Sequence, residues 1–160
     1  MRAWPASVER VAAFLRAAGA EARLEEFDAE TATAADAARA VGCDAAEIVK
    51  SLVVICDGRP VVALVPGDRR GDTDRIAGAV GAARARIARP DEVRAATGFE
   101  PGAVAPFPLP GVQDVLVDRA LLSRRALWVG AGSERHLAVL PTPELVRLSK
   151  ARPADITVDP

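Results

Sequence analysis

Two lysines stand in a chain that otherwise builds its cations from 19 arginines: Lys50 and Lys150. A compact ammonium and a planar guanidinium are not equivalent at a shaped site, so a lysine in such a chain marks a position where geometry counts. Lys50 lies in the most apolar stretch, Ile48-Val49-Lys50-Ser51-Leu52-Val53-Val54-Ile55-Cys56. In a regular strand it shares a face with Ile48, Leu52 and Val54, while Val49, Ser51, Val53 and Ile55 point the other way. Its ammonium either snorkels to water from the strand's start or supplies a cation in a pocket.

A second chemical feature is the run from Gly98 to Gly111, with four prolines and three glycines. Such a run can be neither helix nor central strand. It is a stiff surface crossover, or a loop whose glycines expose backbone N–H and C=O groups while its prolines hold them still, which suits recognition of a small polar group. Phe99 and Phe107 argue that it is ordered. A third feature is the polar segment Gly130-Ala131-Gly132-Ser133-Glu134-Arg135-His136, expected as a loop between two strands. Ser133 and His136 suggest a nucleophile and a base, yet there is no Gly-x-Ser-x-Gly elbow, and such residues also serve solubility in hairpin loops. The reading adopted is that His136 influences binding and is not the general base, because a glycine-bearing loop holds a base poorly.

Other chemistries are disfavoured by residue count. A single histidine leaves no metal-ligand spacing, and Cys43 and Cys56 form no Cys-x-x-Cys pair. They read as reduced thiols, and the lack of any apolar run of signal or membrane-span length makes the expected location cytoplasmic, with no membrane partner. With 21 basic and 22 acidic residues the formal charge is −1, and neither half of the chain is a polycation. The phosphate contribution dominates extended nucleic-acid binding, so DNA and long RNA contacts are disfavoured, while contact with one end of an RNA stays open.

The elements that must position these residues follow from periodicity. One hundred and sixty residues, half of them apolar, make one domain with an ordinary core. Ser7 is the expected cap of a first helix carrying Val8, Val11, Ala12 and Leu15, with Gly19 as its stop. A half-buried strand runs from Ala22 toward Phe27, and Thr33 with Asp36 opens a second helix closed at Gly42. Thr31 and Thr33 read as cap or turn residues whose hydroxyls, at a pocket mouth, can also touch substrate. Asp57-Gly58 joins the Lys50 strand to Pro60–Val65 as a hairpin. Helices at Thr73–Val80, Pro90–Thr97 and Thr142–Leu148 and strands at Ala85–Ala88, Asp114–Val117, Ala126–Val129 and Leu137–Leu140 complete the pattern. The expected fold is a single-domain α/β structure over residues 1–160. Its sheet is mixed, largely antiparallel and barrel-like, with helices outside, and is not a Rossmann domain.

Taken in order, Thr33 to Gly42, Ile48 to Val53, Ala96 to Phe99 running into Gly102-Ala103-Val104-Ala105-Pro106-Phe107, Gly130-Ala131-Gly132, and Thr142-Pro143-Glu144-Leu145 resemble the YbaK/ProX/EbsC family of aminoacyl-tRNA deacylases. The resemblance implies a relative of the editing domain of bacterial prolyl-tRNA synthetases, acting without metal or cofactor on the ester of a mischarged tRNA. The expected carrier is tRNA-Pro or a related tRNA bearing a small wrong amino acid such as alanine, cysteine, serine or threonine. The implied partners are the aminoacyl-tRNA acceptor end and a synthetase. Lys50 falls on the family's functional lysine, and Gly102 to Pro106 on its GxxxP substrate loop. On that basis Lys50 and Gly102 are the expected catalytic residues. Thr31, Thr33, Ser51, Phe99, Ala103, Val104, Ala105, Pro106, Gly130, Gly132 and His136 are the expected substrate contacts. Many members carry two successive glycines in the loop. Here the second is Ala103, whose methyl group would narrow the pocket or restrict the loop.

That chemistry fits the residues. An aminoacyl ester is already activated, so its hydrolysis needs a positioned water, stabilisation of the oxyanion and orientation, and no covalent nucleophile. A non-catalytic module that holds a tRNA end, an aminoacyl derivative or a synthetase is the alternative reading.

Overall fold

The computed structural model describes residues 4–28, 31 and 33–160. Five helices run α1 (Ala6–Ala17), α2 (Ala34–Val41), α3 (Thr73–Ala79), α4 (Pro90–Thr97) and α5 (Thr142–Ser149). The strands are β1 (Arg23–Glu26), β2 (Ile48–Cys56), β3 (Arg59–Pro66), β4 (Arg70–Gly71), β5 (Ala85–Ile87), β6 (Asp114–Asp118), β7 (Ala126–Ser133), β8 (His136–Pro141), β9 (Arg152–Ala154) and β10 (Thr157–Val158). One sheet has the order β1-β8-β7-β2-β3-β6-β9, with β5 also paired to β2, and β4 and β10 form a separate ribbon. The sheet is mixed: β2 is antiparallel to β3 and β5 but parallel to β7. Among the described residues no helix is long and apolar enough to cross a membrane.

Local chemistry accounts for the principal boundaries. Val8, Val11, Ala12 and Leu15 form the buried stripe of α1, as their spacing requires. Its start differs from expectation: Pro5 is the N-cap, and Ser7 lies inside the helix, where its hydroxyl donates to the carbonyl of Gly132 at 2.6 Å. Thr33 caps α2 by accepting the Asp36 N–H at 3.0 Å, and Gly42, at φ 74°, ends it. The β2–β3 turn places Asp57 at φ 48° and Gly58 at φ 80°, the left-handed pair that a two-residue hairpin needs. The segments β4, β9 and β10 are two or three residues long, too short to show a period in sequence.

Strand β2 is buried on both faces, which is why its sequence is a continuous apolar run. Val49 and Val53 join the main core with α1, α5 and the loop residues Phe99, Ala105 and Phe107. On the other face Val54 packs with Ile76 of α3, and Ile48 packs with Ala37 and Ala38 of α2. Lys50 alternates with Val49 and therefore leaves the strand on the face of Ile48 and Val54, in the interval between the α2 and α3 contacts.

Helix α4 leads into the proline-rich loop, so the bonds that fix its start also fix where that loop begins. The Glu92 carboxylate accepts two guanidinium bonds from Arg86, at 2.7 and 2.8 Å, and the Arg89 N–H at 2.8 Å. The Arg86 bonds first, and the Arg89 N–H second, hold its pKa at about 2, below the ordinary 4.5. A depressed carboxyl adds stability that is complete above its ordinary pKa and is lost as pH falls through the lowered one. Glu92→Gln should therefore melt below wild type at pH 7. In thermal melts the two melting temperatures should converge as pH falls from 4.5 toward about 2. A constant difference across that window would show that the charge of Glu92 does not cap α4.

Candidate active site

The loop between α4 and β6 is pinned from its first residue. Gly98 takes φ 75°, and a Cβ there would come within 2.6 Å of Arg10 Nη1. Arg10 donates to the Thr97 carbonyl at 2.9 Å and lies 4.2 Å over the Phe99 ring. The Thr97 hydroxyl donates to the Val93 carbonyl at 2.7 Å and accepts the Phe99 N–H at 3.0 Å. Further along, Phe107 stacks on Phe14 of α1 with ring centroids 5.3 Å apart. Phe99, Ala105, Pro106 and Phe107 are all buried. Arg10 was not anticipated from sequence, because an arginine on an amphipathic helix carries no sign of which loop it will meet.

Between these anchors the loop crosses the sheet at one place. The parallel ladder of β2 and β7 pairs Ile48 with Trp128 and Val49 with Val129, then ends. Lys50 and Gly130 are the next residues of the two strands, and by alternation the Lys50 side chain and the Gly130 Cα hydrogen that a Cβ would replace leave the side opposite Val49 and Val129. A Cβ at Gly130 would lie 2.8 Å from the carbonyl oxygen of Val104. The Val104 peptide thus rests on the backbone of Gly130, on the face of the sheet from which Lys50 leaves. Strand β2 next finds a partner on this edge at Val53, whose carbonyl accepts the Ala88 N–H at 3.0 Å ahead of the β5 pairs that begin at Val54, so residues 50–52 border an opening in the sheet.

Lys50 is half-buried at this opening and forms no ion pair or hydrogen bond through its side chain with the described residues. It also lines a cleft of about 430 Å³ with Arg70, Asp72 and Ile87. The Ser51 hydroxyl is on the opposite face, buried and without a partner among the described residues. Ala103, Gly132 and Ser133 line another cleft, of about 510 Å³, whose rim includes Pro101 and Glu134. Gly102 is exposed at the loop's apex with φ 82°. Thr31 is buried and its hydroxyl donates to the Glu134 carbonyl at 2.9 Å, fastening the chain before α2 to the β7–β8 turn. Thr33 is occupied as a helix cap.

The glycines of the third feature have backbone reasons to be glycine. Gly132, at φ 100°, lies so close to α1 that a Cβ would meet the Ser7 carbonyl oxygen at 2.7 Å. The segment expected as a loop is mostly strand: β7 extends through Ser133 and β8 begins at His136. His136 is 2% exposed, with Nδ1 2.5 Å from the Ser133 hydroxyl and Nε2 3.6 Å from a Glu26 carboxylate oxygen. Trp4 packs on its ring edge. The imidazole is therefore firmly held, contrary to the expectation drawn from a flexible loop. What separates it from substrate is burial, and Ser133 also accepts the Arg135 N–H at 3.0 Å, locking the turn. Cys43 is no activated nucleophile either: burial first, then Glu47 and Asp44, pushes its thiol pKa up.

The chain matches, over residues 28–148, the family model described as an aminoacyl-tRNA editing domain. Proline–tRNA ligase of Xanthomonas oryzae pv. oryzae (strain MAFF 311018) is 33% identical over 153 residues, covering 89% of this chain and 27% of the ligase. The protein YwhH of Bacillus subtilis (strain 168) is 32% identical over 127 residues, covering 79% of this chain and 80% of YwhH. The chain spans 27% of the length of that ligase and 17% of the proline–tRNA ligase of Nitratidesulfovibrio vulgaris (strain DP4), to which it is 37% identical over 98 residues. A crystal structure described as that of a candidate trans-editing enzyme for prolyl tRNA synthetase superposes with a TM-score of 0.90 at 34% identity. That match covers 98% of this chain and 99% of the other.

The Gly130 contact can be tested directly. Gly130→Ala must push the Val104 carbonyl away, so amide hydrogen exchange should quicken across residues 103–107, with a stability loss of about 1–3 kcal/mol. Unchanged exchange there would show that the loop does not rest on Gly130. Gly132→Ala adds a left-handed backbone to its clash and should cost about 1–3 kcal/mol or more in denaturant melts.

Proposed function

Because the chain belongs to the aminoacyl-tRNA editing domain family, we propose that it is a trans-editing deacylase that hydrolyses the ester between a tRNA and a wrong, small amino acid. The carrier is tRNA-Pro or a related tRNA, mischarged by a prolyl-tRNA synthetase, and residues 1–160 act as one editing domain. The observation that carries this reading is Lys50: an ammonium with no partner among the described residues, leaving β2 just past the end of its ladder with β7, where the Val104 peptide packs on Gly130.

In this reading Lys50 anchors the 3′ end of the tRNA, and the backbone of Gly102 to Pro106 orients the aminoacyl group and a water. The water oxygen adds to the ester carbonyl carbon, the bond to the ribose oxygen breaks, and that oxygen leaves with a proton from the water. Free amino acid and tRNA are the products. Peptide groups fixed beforehand can stabilise the developing oxyanion without reorganising, and that is the largest contribution a site of this kind can make. The neighbouring ribose hydroxyl assists the water, so a buried His136 is not needed as base. A metal is not required, and among the described residues no group of three or more His, Cys, Asp or Glu side chains is placed to hold one. Ala103, 5% exposed in the cleft it shares with Gly132, sets an upper size for the amino acid. Each methylene in such a pocket discriminates by roughly 1–3 kcal/mol, which is why a second, hydrolytic selection for small side chains is useful.

Chelator-treated protein should deacylate at least one member of a panel of tRNAs mischarged with alanine, cysteine, serine or threonine. Lys50→Ala should lower the single-turnover rate about 100-fold or more while the melting temperature holds, since the Lys50 ammonium bonds none of the described residues. Binding without turnover across the whole panel would favour the non-catalytic module. Activity lost on chelation and restored by zinc would overturn the metal-free mechanism.

A further inference from the structure

Strand β2 turns the main-chain groups of alternate residues to opposite edges. Its even-numbered residues bond toward β3, and just beyond that strand the Gly67 N–H donates to the Ile48 carbonyl at 2.9 Å. The odd-numbered positions turn to the other edge, where the Val53 carbonyl accepts the Ala88 N–H and the Asp57 N–H donates to the Arg84 carbonyl, each at 3.0 Å. By this alternation the N–H and carbonyl of Ser51 and the N–H of Val53 all face the opening. Neither ladder reaches them, since the β7 pairs stop at Val49 and the β5 pairs begin at Val54. No turn or loop residue among those described bonds to them either. Main-chain groups in a buried strand are ordinarily paired, so the sheet is short here of one residue's donor and acceptor. The buried Ser51 hydroxyl, without a partner among the described residues, is a further polar atom of the same residue.

The chemistry that completes such an edge is a donor and an acceptor in the spacing of one peptide residue. An α-aminoacyl group has that spacing, because its nitrogen and its carbonyl flank a single tetrahedral carbon. A phosphate offers acceptors alone and would leave the Ser51 carbonyl unmet. The ammonium is the stronger donor for that carbonyl, since charge-assisted bonds are roughly twice as strong as neutral ones. The acyl oxygen gains negative charge as water adds to the ester, and an N–H already fixed in the sheet meets that charge without reorganising.

We propose that the aminoacyl group of the substrate docks on β2 as a single residue of strand: its ammonium donates to the Ser51 carbonyl, and its acyl oxygen accepts the N–H of Ser51 or Val53. The main chain of β2 is then a positioning element that reads the α-ammonium, and an acyl group without one is a poor ligand. The inference rests on the deacylase reading for the identity of the ester, but it is tested by binding alone.

The probe is 3′-(L-alanylamino)-3′-deoxyadenosine, an amide in place of the ester, added to the wild-type chain. Residue-resolved amide exchange should slow at Ser51 or Val53 about tenfold or more beyond the factor common to the core amides. The lactyl counterpart, with a hydroxyl in place of the ammonium, should bind about tenfold more weakly. Free alanine at the same concentration should leave both amides unchanged. Protection by alanine equal to the probe's would make the opening a product site and overturn the substrate assignment. Failure of the probe to bind, bound probe with both amides unchanged, or equal binding of the lactyl counterpart would each overturn the pairing. Deacylation by a chain whose Ser51 and Val53 amides do not respond would sink the pairing and keep the deacylase. The expected protection in a chain that deacylates no tRNA of the panel would do the reverse, so the two failures are distinguishable.

Discussion

The approach of the Val104 carbonyl to the backbone of Gly130 organises the rest of the site. Two main chains can come that close only where one residue has no Cβ, and a methyl group at Gly130 would stand 2.8 Å from the oxygen. That single contact brings a peptide of the proline-rich loop onto the face of the sheet from which Lys50 projects. It occurs where the β2–β7 ladder ends, so the loop covers the edge of the opening and does not displace a strand. Without it the loop would still be anchored at Phe99, Ala105 and Phe107, but the Val104 peptide would lose its seat on the sheet.

Those anchors explain why a segment with no regular structure can be stiff enough to orient a substrate. Phe99, Ala105 and Phe107 are each 1% exposed or less, so the loop contributes to the main core as a strand would. Arg10 adds a bond to the Thr97 carbonyl and a cation over the Phe99 ring, tying the loop's entry to α1. The same helix holds the Gly132 carbonyl through Ser7. One amphipathic helix therefore braces both backbone segments near Lys50, and the site's geometry is inherited from core packing, where volume is tightly constrained.

Electrostatics divides the surface in a way that bears on substrate. Most of the acidic residues with a resolved role cap helices or pair with arginines, as Glu92 does with Arg86 and Glu144 with Arg147. Exposed pairs of this kind contribute little individually to stability. They do neutralise charge locally, which leaves a few cations, Lys50 and Arg70 among them, as the places where an anion meets an uncompensated charge. A nearly neutral protein can in this way bind one end of a polyanion without binding its length.

Much of this architecture is written in local sequence. Hairpin turn, helix caps at Thr33 and Gly42, the extent of α4 and the buried stripe of α1 all follow from residues within a few positions of one another, since backbone conformation there is decided by neighbours. The candidate lysine and the proline-rich loop were visible for the same reason, that their residue types are unusual in their own segments, whereas the GxxxP motif within the loop came from the family resemblance. Tertiary structure decided what depends on distant chain. Ser7 reads as a cap and becomes a bond to residue 132; Gly130 and Gly132 read as a flexible loop and are strand backbone packed against other backbone. His136 reads as a loop residue that influences binding and is enclosed by Trp4, Glu26 and Ser133, from three separate segments. Sequence alone determined which elements form and which residues are chemically conspicuous, because those are local free energies. Which of them meet, and which are buried beyond reach of a substrate, was set by long-range packing, where a glycine's missing methyl matters only when another chain arrives to occupy the space.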